Sequence, residues 1–421
     1  MRLRRIDALP PYVFATVDQL KRELRRDGRD VIDLGFGNPD IPPPELAVEK
    51  LREAALNPRN HRYSASRGIE SLRRAIAEHY ARRYGIELDP ETQVVSTIGA
   101  KEGLTHLMWT LVDRDDTVVV PTPAYPIHQV APRLAGATVA TARSDGGVDA
   151  IEEAVRTNRP RVVVVSYPHN PTTATTTTED LQRLVELALE HEFLLVHDFA
   201  YADVAFDGHT PPSILAARGA ERCAVELYSL TKSFSMAGWR LGFVLGNAEV
   251  VAALARLKSY LDYGTFQPIQ IAATVTLREA EAYTAEVCEL YRRRRDTLVA
   301  GLRRAGWEVE PPRGTMFLWA PIPPQHRAEG SLSFALRLAR EADVAVSPGV
   351  GFGDAGEGHV RFALVENEQR IAQATRQIRR FLEPDTLYSE AWPRSGSHPS
   401  SARTQAASAR SSSTPRPSGT P

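Results

Sequence analysis

Short uninterrupted apolar runs recur along the chain and alternate with stretches of helical periodicity. Residues 94–98, 117–120, 161–165, 193–197, 223–228 and 241–246 each read as a strand. Strands that are apolar throughout belong in a parallel sheet covered on both faces. Between the runs, Leu72, Ala75, Ile76, His79 and Tyr80 recur at i, i+3, i+4, i+7 and i+8, an amphipathic helix whose stripe is structural. Further helices are predicted over 17–26, 252–263 and 283–304, and the arginines at 292–295 read as a solvated face of the last. Short strands are predicted around 31–34, 316–319, 344–348 and 359–364. The alternation predicts an α/β fold with a mostly parallel central sheet and a smaller α+β domain. The expected divisions are an N-terminal arm over 1–30 and a large domain over 31–290, with 31–50 contributing to the small domain. The small domain follows over 291–383. From about Pro384 the composition turns to Ser, Pro, Arg, Thr and Ala, and 384–421 reads as a disordered tail.

Candidate chemistry sits where the strands end. The loop from Ser229 to Arg240 holds Thr231, Lys232 and Ser233 between two apolar runs. A lysine there serves as an amine nucleophile for an aldehyde cofactor, and hydroxyls with an arginine fork suit a phosphate. Together they suggest pyridoxal 5′-phosphate bound at Lys232, with Ser229 and Arg240 toward the phosphate. Taken alone, a solvated lysine in a serine-rich loop reads equally well. Gly99, Ala100 and Lys101 follow one strand and open a helix, whose free N–H groups and positive dipole end attract an anion. Asp198 ends a very apolar strand, a costly position for an acid unless it is paired. A protonated pyridine nitrogen would pair with it and keep the ring an electron sink; an ordinary helix cap is the alternative. Beside such a ring, Tyr201, three residues on, would hydrogen-bond the ring oxygen, and Asn170 can donate to that oxygen or to a substrate carboxylate. Tyr125 at a strand end reads as a stacking aromatic or as core. Arg361, on a late strand, suits bidentate recognition of a carboxylate. Residues 351–356 spell G-x-G-x-x-G but carry no following helix pattern, so they read as a loop. His169 reads as a packing residue.

Composition narrows the picture little further. The chain has 421 residues, a hydrophobic content of 43% and a formal net charge of −1, which gives no reason to expect nucleic acid or a membrane surface. Cys223 and Cys288 are its two cysteines, so no disulfide framework is expected and a reducing cytoplasm fits. No signal peptide and no metal site are expected.

Over about residues 5–382 the chain resembles the class I/II pyridoxal-phosphate-dependent aminotransferases of fold type I. The resemblance rests on Gly37, Tyr63, Gly99, Ala100, Lys101, Tyr125, Asn170, Asp198, Tyr201, Ser229, Lys232, Arg240 and Arg361, which follow the family's order. It implies catalytic roles for Lys232, Asp198 and Tyr201. It implies cofactor contacts from the turn at 99–101, Tyr125, Asn170, Ser229 and Arg240. Tyr63 would reach the cofactor of a neighbouring subunit, which implies a homodimer with shared active sites. Gly37, Asn170 and Arg361 would hold the substrate carboxylate, with Tyr12 of the arm beside them. One departure stands out: Thr173 occupies the place where the family usually has glycine. Within the class, residues 10–14, 63–69, 259–266 and 346–354 are most similar to bacterial alanine-forming glutamate–pyruvate transaminases. LL-diaminopimelate and methionine aminotransferases share much of the pattern, and a fold type I C–S lyase would use the same residues.

Overall fold

The apolar runs assemble as their composition dictates. In the computed structural model, which describes residues 3–7 and 9–383, the strands are β1 (Ile32–Asp33), β2 (Val94–Thr97), β3 (Thr117–Thr122), β4 (Thr138–Arg143), β5 (Val162–Ser166) and β6 (Leu194–Asp198). They continue with β7 (Ala224–Ser229), β8 (Gly242–Gly246), β9 (Phe317–Pro321), β10 (Val344–Ala345), β11 (Ser347–Pro348) and β12 (His359–Ala363). The stretch expected to be a disordered tail, 384–421, lies outside the described residues.

Seven strands form one sheet in the order β2-β8-β7-β6-β5-β3-β4. Pairings are parallel except those of β8, which runs antiparallel to both β2 and β7. The central strands are buried on both faces. Val162 and Val164 of β5 join one core cluster, with Leu104, Leu107 and Met108 of the helix Ala100–Leu111. Val163 and Val165 join the cluster on the opposite face, with Leu181, Leu184 and Val185 of the helix Thr178–Glu190. Side chains alternate across a strand, so the period of two splits one apolar run between two cores. The predicted stripe of Leu72, Ala75, Ile76, His79 and Tyr80 is buried on the helix Glu70–Tyr84.

The remaining strands lie late in the chain, apart from β1. A three-stranded antiparallel sheet, β11-β12-β9, packs with the helices Glu281–Arg304, Ser331–Ala342 and Glu368–Leu382 around Trp307 and Phe334. β1 pairs in parallel with β10, so residues from both ends of the chain share one ladder. The G-x-G-x-x-G stretch forms two short 3₁₀ turns, Gly349–Phe352 and Asp354–Gly356.

One expectation needs correction, and one element went unpredicted. The arginines at 292–295 are not one solvated face: Arg294 and Arg295 are buried, paired with Asp40 and Asp207, whereas Arg292 and Arg293 bond exposed glutamates. Consecutive residues advance about 100° around a helix, so a run of this length must point both in and out. The helix Gln267–Glu279 has no counterpart among the predicted elements, because its buried face mixes Gln270, Thr274 and Thr276 with Ala272, Ala273 and Leu277.

Phe243 of β8 is wholly buried and stacks on Tyr228 of β7 with ring centroids 4.8 Å apart. Phe243→Ala leaves a cavity under the sheet and should cost about 3–5 kcal/mol, read as a lower midpoint in chemical denaturation; a loss under about 1 kcal/mol would contradict this packing.

Candidate active site

The carboxyl ends of β3, β5, β6 and β7 point the same way, and the segments leaving them surround a cavity of about 180 Å³. In open α/β sheets this is where ligands bind. Fourteen sequence-predicted positions concern this region, and ten of them converge. Gly37, Ala100, Lys101 and Tyr125 line the cavity, as do Asn170, Asp198, Tyr201, Lys232, Arg361 and Tyr12. Gly99, Ser229, Arg240 and Tyr63 do not line it.

Two cations face the cavity. Lys232 lies on the short helix Leu230–Ser233 after β7, and its Nζ donates to the Gly37 carbonyl at 2.8 Å. Burial, reinforced by the positive charges of Arg361 and Arg240, pushes its ammonium down to about 7. Arg361 on β12 is buried between Phe317 and Phe352, its guanidinium carbon 3.8 Å and 4.7 Å from the two ring centroids. Its Nη1 donates to Asn170 Oδ1 at 2.7 Å and its Nη2 to the Gly35 carbonyl at 3.2 Å. Nε has no partner, and among the described residues no carboxylate pairs with this arginine. Burial lowers it to about 10, which leaves it cationic at neutral pH.

Both cations thus bond to carbonyls of the turn 35–37. That turn is held from behind. Asp33 Oδ1 accepts the Gly35 and Phe36 amides, and Asp33 Oδ2 takes the Lys21 ammonium at 2.6 Å from the helix Phe14–Arg26. A glycine at 37 is required by proximity: a Cβ there would lie 2.5 Å from the Phe317 ring.

Asp198 at the end of β6 is buried, and its Oδ2 lies 2.7 Å from His128 Nε2. His128 sits on the inner face of the helix Pro126–Ala135. Tyr201 is buried on the far wall, which raises its phenol far above the usual value and keeps it a hydrogen-bond donor. The Lys232 Nζ lies 5.9 Å from its ring centroid. His169 bonds Thr172 Oγ1 and burial pushes it down to about 3, so it is neutral there. Thr173, the position usually glycine in the resembling family, stands at φ 62°, where a β-branched residue is strained.

At the other end, Gly99 (φ 82°) caps the helix Ala100–Leu111 without a side-chain cap. A Cβ on Gly99 would meet the Arg240 guanidinium at 2.5 Å, so glycine is needed both for the backbone and for the approach of that arginine. Ser229 is buried, with its hydroxyl accepting the Thr231 amide. Tyr63 is 85% exposed and lies against Tyr263, ring centroids 4.5 Å apart, in a separate surface depression with His61 and Phe266.

Sequence reasoning missed His128, Phe317, Phe352, Ser347 and the Lys21–Asp33 pair. A polar residue inside an otherwise apolar helix face was the available signal for His128. Nothing local marks the two phenylalanines, and only packing against Arg361 distinguishes them.

The chain matches the family model for aminotransferase class I and II over residues 29–378. It belongs to that family. It is 49% identical over 391 residues to the glutamate-pyruvate aminotransferase AlaC of Escherichia coli, covering 92% of this chain and 95% of the relative. Identity to an LL-diaminopimelate aminotransferase of Desulforudis audaxviator is 42%, covering 89% of this chain and 96% of that one. A variant of Thermus thermophilus aspartate aminotransferase superposes with a TM-score of 0.84 at 31% identity, over 90% of this chain and all of the other. The protein is therefore an aminotransferase of fold type I, and its cofactor is pyridoxal 5′-phosphate. The cavity fits that molecule: it offers an amine of depressed basicity, a buried carboxylate, aromatic walls and an uncapped helix N-terminus. No helix is long and apolar enough to cross a membrane among the described residues.

The titration of Lys232 is directly measurable by competitive acetylation of the cofactor-free protein. Its midpoint should fall near 7, against about 10.4 for exposed lysines. Arg361→Leu removes a neighbouring positive charge and should move the midpoint upward. Between the two values the unfolded chain holds the extra proton, so this residue's contribution to stability rises with pH across that window. A midpoint at the exposed value would show that Lys232 is solvated.

Proposed function

We propose that this enzyme exchanges the amino group between alanine and glutamate, with pyruvate and 2-oxoglutarate as the oxo-acid partners. The observation that carries the substrate class is Arg361: a buried guanidinium, flanked by two aromatic faces, with an orphan Nε and no carboxylate partner among the described residues. A buried charge left this way is costly until an anion completes it, and an α-carboxylate matches its fork. The preference for alanine and glutamate draws support from the 49% identity to glutamate-pyruvate aminotransferase AlaC.

In this reading Arg361 and Asn170 hold the α-carboxylate, with the Gly37 backbone beside it and Tyr12 at the mouth. Pyridoxal phosphate, when bound, supplies the electron sink that lets a Cα–H bond ionise. Lys232 attaches the cofactor at rest. When not bonded to the cofactor, its neutral Nζ would take the Cα proton as general base and give it back as general acid. Its depressed basicity supports that role, because an amine titrating near 7 is substantially neutral at working pH. Asp198, held by His128, would pair with the pyridine nitrogen and keep it protonated. Tyr201 would donate to the ring oxygen, and Tyr125 would cover the ring. The amides of Ala100 and Lys101, after Gly99, receive the phosphate with Ser229 and Arg240.

Tyr63 lies outside the cavity, and its reading as a contact to a second copy's cofactor goes with a homodimer. The exposed aromatic cluster of Tyr63, Tyr263 and Phe266 supports a covered interface there. Two unpaired cysteines suit a reducing cytoplasm.

The test is a coupled assay with pyridoxal phosphate, offering L-alanine, L-glutamate, L-methionine and LL-diaminopimelate against pyruvate or 2-oxoglutarate. Alanine–glutamate exchange, abolished by Lys232→Ala, is the expected result. Preferred turnover of another amino acid would overturn the substrate assignment, and pyruvate with ammonia in the absence of an oxo acid would indicate a lyase. Arg361→Leu should cost about 2–5 kcal/mol of transition-state binding, roughly 30- to 5000-fold in kcat/KM, for every α-carboxylate substrate alike.

A further inference from the structure

We propose that Lys258 is a positioning residue for the cofactor: its buried ammonium ties the turn at 99–101 to the loop at 262–266 and thereby sets the affinity for the cofactor's phosphate. This rests on the reading that the turn receives that phosphate.

Lys258 lies in the last turn of the helix Ala248–Leu261 and is 0% exposed. Its Nζ donates to Glu102 Oε1 at 3.0 Å and to Asp262 Oδ1 and Oδ2 at 3.2 Å and 3.0 Å. A buried ammonium needs its charge and its donors satisfied together, and the two carboxylates do both. Each carboxylate in turn shapes backbone. Glu102, in the first turn of the helix Ala100–Leu111, reaches back so that Oε2 accepts the Ile98 amide at 2.9 Å, spanning Gly99. Asp262 Oδ1 accepts the Gly264 amide at 2.7 Å. Thr265 in that same loop donates its hydroxyl to the Arg240 carbonyl, and the Arg240 guanidinium lies against Gly99. One nitrogen therefore stands where both segments framing the turn meet.

The charge matters as much as the tether. An anionic Glu102 in the first turn competes with a phosphate for the same positive helix end. Lys258 offsets that charge from behind. Glu102, His106 and Asp262 present ligand atoms within 4.8 Å of one another, a grouping that would suit a cation. The Lys258 ammonium already occupies that role. Without it, Glu102 and Asp262 repel each other, only His106 Nδ1, 2.6 Å from Glu102 Oε1, still holds that carboxylate, and the Ile98 amide is less firmly held.

The experiment compares equilibrium binding of pyridoxal phosphate and of pyridoxal, which lacks the phosphate, to cofactor-free wild type, Lys258→Met and Lys258→Arg. Tryptophan fluorescence quenching gives each affinity. Lys258→Met should weaken pyridoxal phosphate binding at least tenfold and leave pyridoxal within about twofold, with Lys258→Arg recovering most of the loss. If the methionine variant does not fold, Lys258→Gln, which keeps donors but no charge, carries the same expectation. Unchanged pyridoxal phosphate affinity, or equal weakening of both ligands, would overturn the inference while leaving the phosphate reading intact. Wild-type protein that binds the two ligands equally would overturn the phosphate reading itself and the inference with it.

Discussion

Two basic side chains share one small cavity in this protein, and neither is paired with an acid among the described residues. Arg361 and Lys232 hold to backbone carbonyls of a single turn, at Gly35 and Gly37. Carbonyl dipoles make the burial tolerable without cancelling the charge. Burial first, and the neighbouring positive charges second, lower the basicity of Lys232, and Arg361 is left an anion site. Like charges kept close favour an anionic ligand beside them.

Much of the surrounding architecture serves to hold that arrangement. The turn 35–37 belongs to neither sheet's interior. It is pinned by Asp33 and Lys21 behind it, by Phe317 beneath it, and by the β1–β10 ladder before it. Asn170 orients one Arg361 nitrogen, and Phe317 and Phe352 fix the guanidinium plane. Opposite them, the parallel strands deliver Asp198 and Lys232 from adjacent carboxyl ends, and β8 returns antiparallel so that Arg240 stands beside Gly99. Membership of the class I and II aminotransferases gives this pocket its chemistry. The chain's own packing decides how firmly each group is held.

The polar residues beneath the site form chains rather than isolated pairs. His128 supports Asp198, Lys21 supports Asp33, and Lys258 joins Glu102 to Asp262. Each gives a buried ionisable group a polar partner, the condition under which such groups are tolerated in a core. Each also joins segments distant in sequence, which makes them registration points between the helices and the ligand-facing turns.

What the sequence alone determined follows from local periodicity and from residue type. Apolar runs such as 161–165 had to be central strands, and Leu72, Ala75, Ile76, His79 and Tyr80 had to face a core. Asp198 stood out because an acid is costly at the end of an apolar strand, Lys232 because its loop is rich in hydroxyls, and Arg361 because its fork suits a carboxylate. Tertiary structure alone decided the rest, because the deciding contacts join residues far apart in the chain. Nothing local distinguishes Phe352 from a core phenylalanine until Arg361 lies on it. Arg294 and Arg295 read as solvent-facing until Asp40 and Asp207 arrive to meet them. Lys258 and Lys21 carry no local signal of a special environment, and only the fold surrounds them with carboxylates. A residue's type sets what a burial would cost; the fold alone brings the partner that offsets it.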